Sequence, residues 1–338
     1  MHRSLPDQFK DFALECGGSS ELYQNISSRI AHDDSLIELA ESCPPGQPAP
    51  NLLLSAVHYL LLTGVTDPLR RYYPSLAMEV ESPESAFPAF RKFSHLHYDR
   101  IVPLLRERLV QTNEVQRCTY LLPAFLTVAK MFEGRPLHLI ELGASAGLNL
   151  LWDQYRYQYD DDEPIGPLNS ALTLTSTWRG DRRPDFSGGM PKISARVGID
   201  LNPIDLLDQD QIQWLQALVW PEQFDRRARL SKAIRIAMVN PLTMLKGDAV
   251  EILPAALAEV SAGDVACVYH THFFNQLDDD QRARLLAILD EYGSTHDLVH
   301  IHNNIEPHIH ATVYRNGERI EMPLANTDGH ANWIEWMA

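Results

Sequence analysis

Small residues follow a short apolar run in the segment Ile140-Glu141-Leu142-Gly143-Ala144-Ser145-Ala146-Gly147. The run Leu137–Leu142 predicts a buried strand that leads into a tight turn, and we expect a helix directly after Gly147. Small side chains let a ligand approach the backbone closely, and the first N–H groups of a helix can hold it. The pattern therefore predicts a ligand-binding loop.

The spacing of the glycines separates two classes of ligand. The dinucleotide fingerprint G-x-G-x-x-G needs glycine or alanine where this chain has Leu148. The pattern acid-x-G-x-G-x-G, typical of proteins that bind S-adenosylmethionine (SAM), fits Glu141, Gly143 and Gly147, and only its middle glycine is replaced, by Ser145. We predict that this loop, including Ala144, binds SAM; a strand and turn that merely contain two glycines are the alternative.

Two further acids follow short apolar runs. Asp200, with Leu201 after it, ends the run 195–200 and is expected to bind the ribose hydroxyls. It lies 59 residues beyond Glu141, whereas about 20 residues is usual, so an insertion is required. The acids at 160–162 lie at the usual distance but follow no apolar strand, and we predict a turn there.

The segment Gly247-Asp248-Ala249 follows another short strand. In SAM-binding proteins with this order of strand and acid, Asp248 is expected to face the adenine amino group. A helix N-cap at Asp248 explains the same residues equally well.

Reacting groups are expected beyond the strand Val265–His270. His270 could contact the cofactor, and His270 and His272 could accept a proton, since histidine titrates near neutrality. Asn149 could bind the amino-acid end of SAM or cap a helix.

Aromatic side chains attract a sulfonium through cation–π interaction. We consider Tyr73, Tyr155 and Trp178 for this role, although packing in an interface is the more common role of any one such side chain.

Histidine pairs at 270/272, 300/302 and 308/310 are spaced to share a strand face. Such pairs can bind a metal together with a carboxylate. Because no complete ligand set is apparent, we predict no metal.

The composition narrows the class of protein. The chain has 338 residues with 29 basic and 45 acidic side chains, a net charge of −16, which argues against nucleic acid as the main partner despite a small basic patch at Arg179, Arg182 and Arg183. The four cysteines form no CxxC pair, as expected for reduced thiols in a cytoplasmic protein. The apolar stretch 52–62 is too short to span a membrane, which needs about 20 residues.

The periodicity of apolar residues predicts a helical part followed by an α/β part. Helices are expected over 5–16, 20–30, 35–40, 52–62, 83–93, 98–109 and 115–132. Strands at 137–142, 195–200, 244–248, 265–270 and 298–302 then alternate with helices at 209–219, 221–236, 250–260 and 278–292. Antiparallel strands joined at Asn316-Gly317 are expected to end the chain.

This order predicts an all-helical domain over 1–133 that covers the pocket as a lid. It predicts a Rossmann-like domain over 134–338, with an inserted hairpin near 154–194. The chain thus begins with helices, continues with alternating strands and helices, and ends with antiparallel strands. This is the order of a class I SAM-methyltransferase fold with an N-terminal extension, an α/β class with a mostly parallel sheet.

Five segments resemble a bacterial family of methyltransferase-like proteins long catalogued as a domain of unknown function. They are IELGASAGLNLLWDQYRY at 140–157, TWRGDRRP at 177–184, RVGIDLNPID at 196–205, WLQALVWP at 214–221, and the residues 247–249. The resemblance covers about 137–270 well and the helical part more vaguely. It implies SAM binding, and it extends to azetidine-2-carboxylate synthases, which cyclise SAM and release methylthioadenosine.

The expected function is therefore a cytoplasmic SAM-dependent enzyme. The first hypothesis is intramolecular cyclisation of SAM to azetidine-2-carboxylate. The alternative is methyl transfer to a small molecule, and the third possibility is a SAM-binding protein without catalysis. The segment after Val265–His270 lacks the Asn/Asp-Pro-Pro-aromatic signature of enzymes that methylate amino groups of macromolecules. We therefore expect a small-molecule partner, with no nucleic acid and no membrane. The oligomeric state is left open.

Overall fold

The computed structural model describes residues 3–306 and 308–338. The chain divides into two compact units: Met1–Thr112 with Leu207–Ala228, and Asn113–Leu206 with Arg229–Ala338. This division differs from the expected boundary at 133/134. The helix after residue 117 belongs to the unit that contains the sheet, and a later segment belongs to the helical unit.

Eleven α-helices lie in the described residues. They are α1 (Leu5–Glu15), α2 (Glu21–Ile30), α3 (Asp34–Ala40), α4 (Ala49–Leu62), α5 (Ala86–Leu96), α6 (Tyr98–Glu107), α7 (Cys118–Lys130), α8 (Gln209–Ala217), α9 (Phe224–Ala237), α10 (Ala249–Ala258) and α11 (Asp279–Gly293). The helices expected in the first part and between the later strands are present within a few residues of their expected bounds, whereas the one expected directly after Gly147 is not an α-helix. Side-chain caps explain several starts. The side chains of Ser4, Ser20 and Asp33 each accept an N–H from the first turn of the helix that follows.

Ten strands form one sheet. They are β1 (Leu137–Leu142), β2 (Arg156–Tyr159), β3 (Thr173–Arg179), β4 (Ile193–Asp200), β5 (Thr243–Lys246), β6 (Val265–His270), β7 (Leu298–His302), β8 (Ile309–Arg315), β9 (Glu318–Thr327) and β10 (Trp333–Trp336). Their order is β2-β3-β10-β9-β8-β7-β6-β1-β4-β5.

The five strands β5, β4, β1, β6 and β7 pair in parallel. The chain runs from β1 to β4 and β5 on one side, and then returns to β6 and β7 on the other side of β1. Such a reversal opens a crevice beyond the carboxyl ends of the strands, where ligands of parallel α/β sheets bind.

The antiparallel finish is confirmed. Strands β7, β8, β9 and β10 pair antiparallel in sequence order. Asn316 and Gly317 join β8 to β9 with φ of 53° and 79°. Positive φ at both central positions is the requirement of the tight hairpin turn that Asn-Gly favours.

The insertion contains two strands, but they do not form the expected hairpin. Strands β2 and β3 pair in parallel, and β3 also pairs in parallel with β10, so the insertion extends the far edge of the sheet. Asp160, with φ of 45°, turns the chain at the end of β2. The long connection 160–172 then carries the chain back to the start of β2, which makes β3 parallel. The expected turn at 160–162 is therefore present.

The apolar helix α4 is buried along most of its length, as expected. No helix in the described ranges 3–306 and 308–338 is long and apolar enough to cross a membrane. Cys16, Cys43, Cys118 and Cys267 are free thiols.

Gly293, the last residue of α11, provides a test of how this helix packs on the sheet. A Cβ there would lie 2.3 Å from Cγ of Tyr314 on β8, and the Tyr314 hydroxyl is fixed by a hydrogen bond to Asp290. We expect Gly293→Ala to lower the free energy of unfolding by about 1–3 kcal/mol, the usual cost of overpacking, as measured by urea denaturation. Gly263→Ala is the control, because nothing lies within 4 Å of that Cβ position; equal effects of the two substitutions would contradict the packing argument.

Candidate functional site

The loops that follow β1, β4, β5, β6 and β7 all lie at the carboxyl edge of the parallel strands. Most residues expected to bind SAM or to react lie in these loops or in the last residues of these strands. We therefore describe this edge as the candidate site.

The loop after β1 passes through the left-handed backbone region at every second residue. Gly143, Ser145 and Gly147 have φ of 68°, 53° and 70°. Ser145, which replaces the middle glycine of the pattern, therefore keeps the conformation that glycine adopts most easily. Ser145 therefore adds a side chain at this position, while the backbone of the loop keeps the left-handed conformation expected for glycine.

The segment after the loop is not the α-helix that we expected. Residues Leu148–Gln154 form a 3₁₀ helix with non-helical backbone at Leu151. The five side chains 148–152 are all buried, whereas an α-helix on a protein surface exposes one face. The segment therefore offers no long helix N-terminus to a ligand.

Close packing requires glycine at two points around the loop. A Cβ at Gly143 would lie 2.7 Å from the ring of Phe273, which follows β6. A Cβ at Gly198 on β4 would lie 2.9 Å from Cβ of Ala144 and 2.7 Å from Sδ of Met244. Gly198 was not predicted as a site residue, and it lets the loop rest directly on β4.

Asp200 joins the loop to the end of β4. Its Oδ2 accepts the backbone N–H of Ser145 at 2.8 Å, and its Oδ1 accepts that of Asn202 at 2.8 Å. The residue is 8 % exposed. A carboxylate has about four acceptor sites and commonly accepts several hydrogen bonds at once. Asp160, the rival acid, accepts the N–H of Trp178 in its turn.

Leu201 and Asp248 lie near Asp200: Leu201 exposes its side chain, and Asp248 caps a helix. Leu201 exposes 63 % of its surface, which leaves an apolar side chain next to the carboxylate. Asp248 caps α10, since its Oδ1 accepts the N–H of Val250 at 2.8 Å. Gly247 donates its N–H to the carbonyl of Asp200 at 2.9 Å, and Ala249 opens the helix. The N-cap role is thus present, and contact with adenine stays a prediction.

Glu141 lies at the centre of a buried polar network under the loop. Its carboxyl accepts from Nδ2 of Asn149 at 3.3 Å and from the hydroxyl of Tyr269 at 3.4 Å. The thiol of Cys118 donates to Oδ1 of Asn149 at 3.3 Å, so Asn149 bonds to side chains and does not cap the helix. Burial, opposed by these hydrogen bonds, raises the pKa of Glu141 to about 8.

Arg117 is a site residue that no motif revealed. It ends the 3₁₀ turn Val115–Arg117 directly before α7, and its Nη1 donates to Oγ1 of Thr271 at 3.3 Å. Its positive charge acts on the pKa of Glu141 and of His272. Arg117 therefore lies near both the glycine loop and the end of β6.

The three aromatic candidates have packing contacts. The Tyr155 hydroxyl donates to the carbonyl of Leu148 at 2.6 Å, and Trp178 stacks on Tyr159 with ring centres 4.6 Å apart. Tyr73 is buried in the other unit, where it packs against Tyr23 and His58. The described residues thus place only Tyr155 beside the loop, and a role at a sulfonium stays a prediction for all three.

His270 belongs to a row of buried imidazoles. His270, His302 and His310 are register partners on β6, β7 and β8, with ring centres 6.0 and 5.4 Å apart, and His300 packs against the first two. Burial lowers the pKa of His270 to about 3 and of His302 to about 4. His310 bonds to Glu321 at 2.7 Å. We call these four residues the histidine row.

The spacing of His270 and His272 predicted that they share a strand face, but in the structure they do not. Strand β6 ends at His270, and His272 adopts φ of 55° in the loop beyond it. Within 3–306 and 308–338, no three His, Cys, Asp or Glu side chains are arranged to hold a metal.

A polar cleft of about 260 Å³ opens beside His272. Its lining includes His272, Asn303, Asn304, Glu306, Thr327 and Asp328. The backbone N–H of His272 donates to Oδ1 of Asn303 at 2.7 Å, and burial, with the nearby Arg117, lowers the pKa of His272 to about 4. The imidazole is therefore neutral at pH 7 and can accept a proton or a hydrogen bond.

Comparison with known proteins places residues 6–336 in one family, described as "Uncharacterized protein conserved in bacteria (DUF2332)". No curated protein matches the chain.

The histidine row predicts that stability falls in acid. Because the folded-state pKa values of His270, His300 and His302 lie below the unfolded value of about 6.5, these groups contribute no pH dependence above that value. As the pH falls from about 6.5 towards 4, each takes up a proton only on unfolding and costs about 1.4 kcal/mol per pH unit. Denaturant titrations between pH 4.5 and 7.5 measure this slope.

The substitution His302→Gln should reduce the acid slope by about one proton. The control His296→Gln changes an exposed histidine and should leave the slope unchanged. Identical slopes for His302→Gln and the unaltered protein would show that the row does not set the acid response.

Proposed function

This chain belongs to the conserved bacterial family just described, and we propose that it is an enzyme that binds and consumes SAM at the carboxyl edge of its parallel strands. The observation that carries the proposal is the hydrogen bond from Ser145 N–H to Asp200, which joins a glycine loop to a strand-end acid. Glycine loops of this kind follow the first strand of Rossmann-like sheets, and an acid at the end of the next strand binds ribose.

The strand order supports the same proposal. Strands β5, β4, β1, β6 and β7 follow the order third, second, first, fourth, fifth, in which the first five strands of a Rossmann-like sheet are arranged. We infer that this core, with its antiparallel end, is a variant of the class I methyltransferase fold. It departs from the plan through the insertion of β2 and β3 and the added strand β10.

Each part of SAM has a counterpart at this edge. Asp200 would accept the ribose hydroxyls, the exposed side chain of Leu201 offers adenine an apolar surface, and Asp248 lies at the end of the adjacent strand. Asn149 and Glu141 would contact the amino-acid end, since both belong to the polar network under the loop.

The reaction that this arrangement supports best is intramolecular cyclisation. The α-nitrogen attacks the γ-carbon, the bond from that carbon to sulfur breaks, and methylthioadenosine leaves with the electron pair. Nitrogen must first lose a proton, and the ionised form of Glu141 would accept it. This form is the minority at pH 7, because the pKa of Glu141 is about 8. Products are azetidine-2-carboxylate, methylthioadenosine and one proton.

Methyl transfer to a small molecule is the second candidate, and the polar cleft at His272 favours it. The cleft lies at the carboxyl ends of β6 and β7, and a neutral imidazole on its wall could accept the proton of a nucleophile. At about 260 Å³ the cleft is smaller than most drug-binding pockets, which limits an acceptor to a small molecule.

Asp200→Asn tests the pocket. The amide replaces one acceptor oxygen by a donor, which opposes the N–H of Ser145 or Asn202 and removes the charge expected to hold ribose. We expect SAM to bind about 100-fold more weakly in calorimetric titration, because bonds to a charged group are worth about 1.5–3 kcal/mol each. Asp161→Asn, at an exposed turn, is the control; unchanged affinity in Asp200→Asn would refute the pocket.

Incubation of the purified protein with SAM alone tests the reaction. We expect equal amounts of methylthioadenosine and azetidine-2-carboxylate by mass spectrometry, above a protein-free control for spontaneous decay. Intact SAM despite measurable binding would exclude cyclisation. Release of S-adenosylhomocysteine with small acceptors would then establish methyl transfer, and binding without any turnover would leave a SAM-binding protein.

A further inference from the structure

Arg117 carries a charge that no carboxylate neutralises. It is partly buried, and its one hydrogen bond is the donation to Thr271 at 3.3 Å. Its Nε is buried and has no acceptor anywhere in 3–306 and 308–338. No Asp or Glu in these ranges forms an ion pair with it.

An unpaired guanidinium in such a position costs free energy, because buried cations are normally paired and hydrogen-bonded. Glu141 lies close enough to sense the charge, but burial raises its pKa to about 8, so it is mostly neutral at pH 7. The guanidinium therefore has unused donors for an anion from outside the chain.

Two hydroxyl groups lie beside Arg117. Tyr120 lies three residues after Arg117, and its hydroxyl is buried beside the side chain of Thr271. Thr271 follows β6 and already contacts Arg117. A planar guanidinium matches a carboxylate with two parallel N–H bonds, and these hydroxyls add donors for the same oxygens.

We propose that Arg117, with Tyr120 and Thr271, forms a subsite for the carboxylate of an amino-acid substrate. The subsite rests on the proposed function for the identity of its ligand, which is then the methionine carboxylate of SAM. The amino group of the same moiety would lie towards Asn149 and Glu141, whose network adjoins α7 through the bond from Cys118 to Asn149. Arg117 would thereby orient the nitrogen for its reaction.

The test compares two ligands on matched variants. SAM carries the amino-acid end, and methylthioadenosine shares the adenosine and sulfur but lacks it. We expect Arg117→Gln to weaken SAM binding about 30-fold, a loss typical of a charge-assisted pair, and to leave methylthioadenosine binding unchanged in calorimetric titration. Arg117→Lys should retain part of the affinity, because the charge remains but the fork is lost. Arg183→Gln, which changes an exposed arginine, should affect neither ligand.

Tyr120→Phe is the second variant, in case the first disturbs folding. It removes a buried hydroxyl whose neighbour is Thr271, so the thermal midpoint should fall only slightly, whereas SAM should bind several-fold more weakly. Unchanged SAM affinity in both variants, or equal loss of both ligands in Arg117→Gln with intact binding in Arg183→Gln, would overturn the subsite while SAM binding stands. Failure of the unaltered protein to bind either ligand would overturn the proposed function itself, and this assignment with it.

Discussion

The candidate site depends on one hydrogen bond, in which the N–H of Ser145 donates to the carboxylate of Asp200. For this bond to form, the loop after β1 must turn back over β4, which requires left-handed backbone at Gly143, Ser145 and Gly147. It also requires that β4 have no side chain at Gly198, because Ala144 occupies that space. The parallel register of β1 and β4, in which Glu141 lies opposite Gly198, brings these requirements together. A shift of one residue would turn Asp200 away from the loop.

Burial of polar side chains is the second constraint at this edge. Strands β1, β6 and β7 are buried along their whole length, so that polar side chains on these strands are removed from water. Glu141 responds by binding its proton more tightly, and His270, His300 and His302 respond by remaining neutral at pH 7. The buried side chains of β1, β6 and β7 therefore add little charge to the site at pH 7, although the chain has a net charge of −16.

Local sequence patterns predicted most helices and strands. They failed where the structure depends on the direction of a strand or on packing between residues that are distant in the sequence. The apolar runs of β1, β6 and β7 and the Asn-Gly turn could be identified because each depends on adjacent residues. An inserted hairpin was predicted near 154–194, but the pairing of β3 with β2 and β10 depends on where a long connection leads, which a local pattern does not encode. Arg117 carries no motif, since its place beside Thr271 arises only when α7 packs near the end of β6. The left-handed conformation of Ser145 likewise appears only once the loop is folded.

The distribution of charge links the fold to the proposed chemistry. SAM has a cationic sulfur, an ammonium group and a carboxylate, and the edge offers each charged end of the amino-acid moiety a distinct partner. Arg117 would fix the carboxylate, which leaves the ammonium beside a carboxyl that is protonated at pH 7 but close to ionisation. The Arg117 charge favours the ionised form of Glu141, so the cation proposed to orient the substrate would also favour the form of the neighbouring carboxyl that accepts a proton. Cyclisation would move the positive charge from sulfur to nitrogen, and a site that excludes water favours that change because the charge is spread over both atoms in the transition state.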